Sequence, residues 1–384
     1  MGTRHGPAKV VATVDGIASE AAAVQVTPVK RAMLIPLIPG APADGGNSAT
    51  GISADGTAVI GNGDTSTGAI HAFRWTAAEG TADLGVLSGY DTSRAYGVNA
   101  DGSVVVGTCY LAASAGDSGV PFIWTKTGGM QAIDGFPEGT ILSVAYGVSG
   151  DGTRVVGFFE IDDPPSGLVG NYGFIWTQAD GVKIIGDLLP FGVPRHECKI
   201  WKISADGKTM VGAAGFDLDS EDNPVAGPAR WVQVGDVWDP TLLGVFPNTS
   251  GEGEAYCVSE DGGVVGGWAR QESGIGESFR WTLPEGMIRP LYGMFLVTQT
   301  CSYDGTILAG SGGNPGNAFL WDVYRGYRNL YDVLDAEGIL EDLEGYSPSG
   351  VMGLSADGQA MAGTAGPGIF RAFLVELPFV PPSD

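Results

Sequence analysis

The chain has 384 residues, 43% of them hydrophobic, with 63 Gly and 23 Pro, so it holds enough apolar material for a large core and a turn residue every few positions. Twenty Lys and Arg stand against 44 Asp and Glu, a net charge of -24, which excludes sequence-independent attraction to nucleic acid or to anionic lipid. No apolar run reaches the ~18 residues of a membrane-spanning helix, so no membrane insertion is expected.

Residues 1 to 31 form a net-basic stretch, carrying Arg4, Lys9, Lys30 and Arg31 against Asp15 and Glu20. They are expected to be an N-terminal docking arm for partner proteins of a larger assembly. Asp15 and Glu20 interrupt the apolar stretch that a Sec signal would need, so none is expected.

From residue 32 to 377 one pattern repeats at intervals of roughly 50 residues. Ser or Asn, any residue, Asp and Gly are followed by a small apolar run that closes on Gly. The copies centre on Asp55, Asp101, Asp151, Asp206, Asp261, Asp304 and Asp357, and close on Gly61, Gly107, Gly157, Gly212, Gly267, Gly310 and Gly363. Asp-Gly between two β-prone runs signals a tight hairpin, because the turn needs positive φ. The preceding Ser or Asn is placed to hydrogen-bond the turn backbone. A third strand follows in Ala72–Trp75, Pro121–Trp124, Gly173–Trp176, Ser278–Trp281 and Ala318–Trp321, with weaker copies at Pro228–Trp231 and Ala372–Val375. Phe and Trp two apart share a strand face and are expected to pack between adjacent sheets. Gly80, Gly129, Gly181, Gly286 and Gly326, each five residues after a Trp, mark a turn into a fourth strand, read at Asp83–Leu87 and Leu242–Phe246.

This pattern predicts an all-β fold, a seven-bladed β-propeller of four-stranded antiparallel blades. The seventh copy stops after its third strand, and residues 33 to 38 are expected to supply the missing one, closing the last blade and covering its edge. Leu330–Leu340 departs from the pattern and reads as a short helix capping one face. Residues 378 to 384 are a C-terminal tail.

Binding is expected at the ends with long connections, since the tight turns occupy the opposite face. Tyr90, Arg94, Tyr110, Arg195, His196, Trp201 and Trp268 are the candidates there, as stacking and polar groups for a glycan or as ordinary loop packing. Asp217, Asp219 and Glu221 alternate as calcium ligands do, but the sixth-position glycine and distal Glu of an EF-hand are lacking, so a solvated acidic loop is the main reading with calcium as the alternative, and the sequence demands no other cofactor. His196-Glu197-Cys198 offers two metal ligands where a catalytic zinc needs three. Cys109, Cys198, Cys257 and Cys301 form no Cys-x-x-Cys pair and read as buried thiols, with a Cys257–Cys301 bridge as the alternative.

The segment His71-Ala72-Phe73-Arg74-Trp75-Thr76 after Ser53-Ala54-Asp55-Gly56 resembles the HAF-repeat proteins, and the resemblance covers almost everything from about residue 32 to 377. It implies an extracellular or surface interaction role and assigns no reaction. The expectation is therefore a non-enzymatic virion component, such as a tail or host-receptor-binding protein, assembled in the host cytoplasm and anchored by its arm. The alternatives are a bacterial secreted or surface adhesion propeller that binds glycan, and a propeller glycosidase or lyase with an acidic pair and a cation at the long-loop mouth.

Overall fold

The computed structural model describes residues 30–111, 118–162, 169–189, 193, 195–219, 223–246, 249–271, 274, 276–290, 295–312 and 317–378, with the backbone of residues 163 and 168 and of four short N-terminal strands. The N-terminal strands pair as Ala8–Val10 with Ala22–Val24 and Thr13–Val14 with Ile17–Ala18. The body is all-β apart from a helix at Leu330–Ala336 and a 3-10 turn at Leu340–Leu343. Among the described residues its sheets are five of four strands and one of eight. The eight-stranded sheet is two four-stranded units joined by a parallel bridge, Gly170 to His196 and Asn171 to Glu197.

Each unit but the last follows chain order, and all are antiparallel throughout, as in Asn47–Ile52, Ala58–Asp64, Ile70–Thr76 and Gly80–Asp83. The turn chemistry is that expected. Ser53 Oγ donates to Asp55 Oδ1 (2.6 Å) and accepts from the Ala58 amide (2.9 Å), while Asp55 Oδ1 also accepts from the Thr57 amide (2.9 Å). Gly56 takes φ +74°, where a side chain is strained. Asn99 replaces Ser in the second unit and accepts from the Val104 amide at 2.9 Å.

The fourth strands lie earlier than the apolar pattern suggested, at Gly80–Asp83 and Val237–Leu242. Leu84 and Leu243 each add one bond to the third strand, to Ala72 O and Pro228 O at 2.9 Å. Beyond that bond the chain leaves the ladder, and Leu84, Leu243 and Phe246 are buried in the gap toward the following unit. Their hydrophobicity serves packing between sheets rather than strand pairing.

Every first strand slips register at a shared position, between Ala49 and Gly51, Ala95 and Gly97, Ala145 and Gly147, Ile200 and Lys202, Ala255 and Cys257, Thr298 and Thr300, and Val351 and Gly353, and two of them slip a second time, between Thr140 and Leu142 and between Pro348 and Gly350. These bulges explain the closing glycines. A Cβ on Gly61, Gly107, Gly157, Gly212, Gly267, Gly310 or Gly363 would stand only 1.9–2.0 Å from a first-strand carbonyl oxygen. Only glycine lets the two backbones approach that closely.

Buried apolar layers occupy the gaps between successive units. Ile60 and Leu84 meet Val105 and Phe122, Val156 and Ile185 meet Cys198 and Trp231, and Ala360 and Leu374 of the last unit meet Val59, Phe73 and Trp75 of the first. Near the Asp-Gly turns, backbone bonds pass from unit to unit. Asp55 N donates to Ala100 O, Ala100 N to Gly150 O, Gly150 N to Ala205 O, Glu260 N to Tyr303 O, Tyr303 N to Ala356 O, and Ala356 N to Ala54 O, at 2.7–3.1 Å. The last step returns to the first unit.

The strand completing the last unit is Arg31–Leu34, paired from Glu376–Arg31 to Phe373–Leu34. It begins two residues before the expected segment and ends earlier, with Ile35 and Ile38 buried beyond it. Buried Asn47 fastens the seam: its Nδ2 donates to Ile35 O (3.1 Å) and its Oδ1 accepts from the Ala372 amide (2.9 Å). The helix starts on Asn329, whose Oδ1 caps the Tyr331 amide at 2.8 Å, and buries Leu330 and Leu334 against Leu34 and Val375. All four cysteines are free, buried thiols.

Gly157→Ala should destabilise the protein by about 3 kcal/mol in urea unfolding, because the new Cβ meets Val144 O at 1.9 Å and the Phe174 ring at 2.8 Å. Gly129→Ala, at φ +64° with nothing within 4 Å, should lose only the backbone strain, about 1–2 kcal/mol. Equal losses would refute the steric account of the closing glycines.

Candidate functional site

The first strands of all seven units line one central cavity of about 110 Å³. Antiparallel order puts the Asp-Gly turns at one end of these strands and the longer connections at the other. Toward the long-connection end, each bulge leaves one residue outside the ladder: Thr50, Tyr96, Tyr146, Trp201, Tyr256, Gln299 and Met352. A bulge re-aims the side chain it carries. Four consecutive units place an aromatic there.

These four side chains form an arc. Ring centroids are 4.7 Å apart for Tyr96–Tyr146, 4.4 Å for Tyr146–Trp201 and 5.8 Å for Trp201–Tyr256. Phe158 backs the arc, stacked on Tyr146 at 5.8 Å and edge-on to Trp201 at 5.7 Å. All four arc residues are half-buried. The Trp201 indole N–H is buried without a hydrogen-bond partner.

Polar groups gather around the arc. Trp268 Nε1 donates to Tyr256 Oη (3.1 Å), and Tyr256 O–H donates to the Glu254 carboxylate. Lys199 pairs with Glu197 at 2.6 Å and lies 5.5 Å over the Phe158 ring, and Asn171 Nδ2 donates to Glu197 at 2.7 Å. Tyr96 and Tyr110 share a hydroxyl contact at 3.2 Å. Burial raises the Glu254 carboxyl above the ordinary carboxylate range, against the lowering effects of the Tyr256 hydrogen bond and Lys199. Burial likewise raises the phenols of Tyr96, Tyr146 and Tyr256. The site thus combines apolar ring faces, fixed hydroxyls and a carboxyl biased toward its neutral form.

Of the sequence candidates, Trp201, Trp268 and Tyr110 belong to this cluster, on strands rather than loops. Exposed Arg94 is close enough to lower the phenols of Tyr96 and Tyr146 electrostatically. Tyr90 does not join them; it packs at the edge of the layer holding Ile60 and Leu84. Arg195 makes a 4.0 Å ion pair with Glu160. His196 Nδ1 meets the buried Asp187 carboxylate at 3.0 Å, and the Cys198 thiol donates to Gly186 O at 3.4 Å, so neither is aimed at a shared metal. In the acidic loop, Asp217 accepts from the Leu218 amide (2.8 Å) and Asp219 from the Asn223 amide (2.9 Å); Glu221 lies outside the described residues. Among the described residues no three His, Cys, Asp or Glu side chains cluster as metal ligands. Tyr96, Tyr146, Tyr256, Lys199 and Glu254 escaped the sequence reading, although counting five and seven residues back from each turn Asp finds them.

A larger cleft of about 690 Å³ opens at the other end, beside the Asp-Gly turns of the first and last units. Most of its charged groups are engaged with one another, in the pairs Arg74–Glu79, Lys126–Glu79 and Arg31–Glu376, while Asp55 and Asp357 accept from Ser53 and Ser355 within their turns. The bulge arc, with its orphan indole N–H, is the better candidate.

Glu254 supplies a pH test. Its folded pKa lies above the ordinary value of 4.5, so its contribution to stability is full below that pH and is lost as pH rises through the folded pKa. Melting temperatures of the wild type and Glu254→Gln, compared from about pH 4 to about pH 8, should therefore show the variant gaining on the wild type as pH rises. A difference that stays constant would rule out a raised carboxyl.

No protein-family model matches the chain, and no curated protein resembles it in sequence. Among solved structures, an oligogalacturonate lyase from Vibrio parahaemolyticus is similar with a TM-score of 0.53 at 12% identity, over 88% of this chain and 93% of that one. A prolyl endopeptidase structure gives 0.55 at 14% identity, over 88% of this chain and 51% of that one, so this chain spans about half its length. TolB from Acinetobacter baumannii is more distant, at 0.44 and 11% identity, over 88% of this chain and 66% of its own. The fold is β-propeller-like. These findings correct the virion expectation: the two similar chains with a TM-score above 0.5 are a lyase and an endopeptidase, and neither is a phage tail or receptor-binding protein. No helix among the described residues is long and apolar enough to cross a membrane.

Proposed function

We propose that this β-propeller-like chain is a seven-bladed ring closed by its N-terminal strand, and that it serves as a bacterial secreted or surface-displayed module binding carbohydrate, without catalysis. The observation that carries this reading is the arc of Tyr96, Tyr146, Trp201 and Tyr256 on successive bulges. The apolar C–H face of a sugar packs on aromatic rings, and its hydroxyls need fixed polar partners around them. Asn171, Glu197, Lys199, Glu254 and the Trp201 indole N–H are such partners. The resemblance to HAF repeats favours the same extracellular role. In this reading the basic arm, residues 1 to 31, contacts a larger surface assembly, and several copies displayed together let weak sugar contacts sum.

A second reading, a carbohydrate lyase or hydrolase at the same mouth, has one observation in its favour. Glu254 is raised by burial and feels both Glu197 and Lys199, an acidic pair with a cation.

Calorimetric titration of the full chain with sugars selected on a glycan array tests both. Trp201→Ala should weaken binding about tenfold or more, ~1.4 kcal/mol, while Leu283→Ser, on an exposed turn, should leave it unchanged. Absence of binding to any glycan, or indifference to Trp201→Ala, would reject the binding site. Cleavage of the bound sugar, lost in Glu254→Gln with affinity retained, would replace the first reading by the second.

A further inference from the structure

Below the arc the central cavity changes character. Its wall is an aliphatic collar, with Ile52, Val98, Val148, Ile203, Val258 and Leu354 at one level of six first strands and Cys301 at that level of the remaining one. Among the lining residues there is no carboxylate and one cation, Lys202. That is unexpected in a chain with 44 Asp and Glu.

Lys202 sits directly after the Trp201 bulge, where four other units have Gly51, Gly97, Gly147 and Gly353 and the next two have Cys257 and Thr300. The glycines mark close backbone approach: a Cβ on Gly97 would be 2.7 Å from Tyr146 O, and one on Gly353 would be 2.7 Å from Ile52 N. Lys202 carries a long side chain at this level instead. The backbone bonds linking unit to unit show a gap at the same seam, since none joins Ala205 to Glu260. Burial pulls the Lys202 ammonium below its ordinary pKa, and the groups that act in the opposite direction are the thiols Cys257 and Cys301. No carboxylate offsets its desolvation there, and a buried charge without a counter-ion is costly.

We infer that the cavity is an anion site, in which Lys202, lining the same wall as Thr300 and Cys257, holds a small monovalent anion, a halide or a carboxylate group. A volume of about 110 Å³ takes roughly three water-sized occupants, at ~30 Å³ each, which suits a bromide or an acetate. The carboxylate has two sources, a free small acid or the acid group of a sugar seated on the arc. The halide site stands independently of the glycan reading.

The test uses the full-length chain. Crystals soaked in bromide should give an anomalous peak in contact with Lys202 Nζ. Melting temperature should rise with added bromide or acetate by mass action, and the rise should vanish in Lys202→Met and persist in Lys202→Arg. If glucuronate raises the melting temperature where acetate does not, and Lys202→Met abolishes that rise, the site stands and its anion is sugar-borne. No bromide peak in the wild type, or a peak and a salt response that survive in Lys202→Met, would overturn the inference. Should Lys202→Met fail to fold, the bromide peak and the Lys202→Arg response decide.

Discussion

One close contact, repeated in every unit, organises the molecule: a first-strand carbonyl oxygen stands where the Cβ of any residue but glycine would lie on the second strand. The oxygens are those of Ser48, Arg94, Val144, Lys199, Glu254, Val297 and Gly350. The contact goes with the bulge beside it, and the bulge releases one side chain per unit from the alternation that otherwise commits every residue to a gap between sheets. The released positions carry no packing duty in common, so they differ freely, from Thr50 and Gln299 to Trp201. A chemically varied rim at the cavity mouth is thus a by-product of the backbone geometry that lets the sheets form.

The fold was largely legible because its determinants are local. Asp-Gly turns, a Ser two residues earlier and the closing glycine are each fixed by chemistry within about six residues, and the structure uses all three as read. The fourth strands were displaced because Leu84 and Leu243 are hydrophobic for packing into the next gap, and composition alone does not separate that role from a strand. The site was legible only in part. Trp201 and Trp268 drew attention as large aromatics, but Tyr96, Tyr146 and Tyr256 look like ordinary strand residues until a bulge is known to lie at that position. Tyr90 and the His196–Cys198 segment lie apart from the arc, one packed at the edge of a core layer and the other tied to Asp187 and Gly186, through contacts that local sequence does not display.

Charge is distributed unevenly with respect to this architecture. The exposed pairs Arg74–Glu79 and Lys183–Asp180 are surface ion pairs of the kind that contribute about 0–1 kcal/mol each. What differs is the interior axis, where an excess of 24 negative charges over the chain gives way to a wall without carboxylates. Between the two zones lies Glu254, held by Tyr256 and raised by burial.

The pairing of Arg31–Leu34 with Phe373–Glu376 makes the last unit from both ends of the described body, and Ile35 is 336 positions from the Arg371 side chain that reaches its carbonyl. Joining distant segments is thermodynamically mild, since loop entropy grows by only about 0.6 kcal/mol per doubling of length. In time it is demanding, because such non-local contacts form late. During translation the first of these strands leaves the ribosome long before its partner exists, and the apolar pair Ile35 and Ile38 travels with it. The growing polypeptide therefore carries an unsatisfied strand until Phe373–Glu376 have been made, and only then can the seam be sealed.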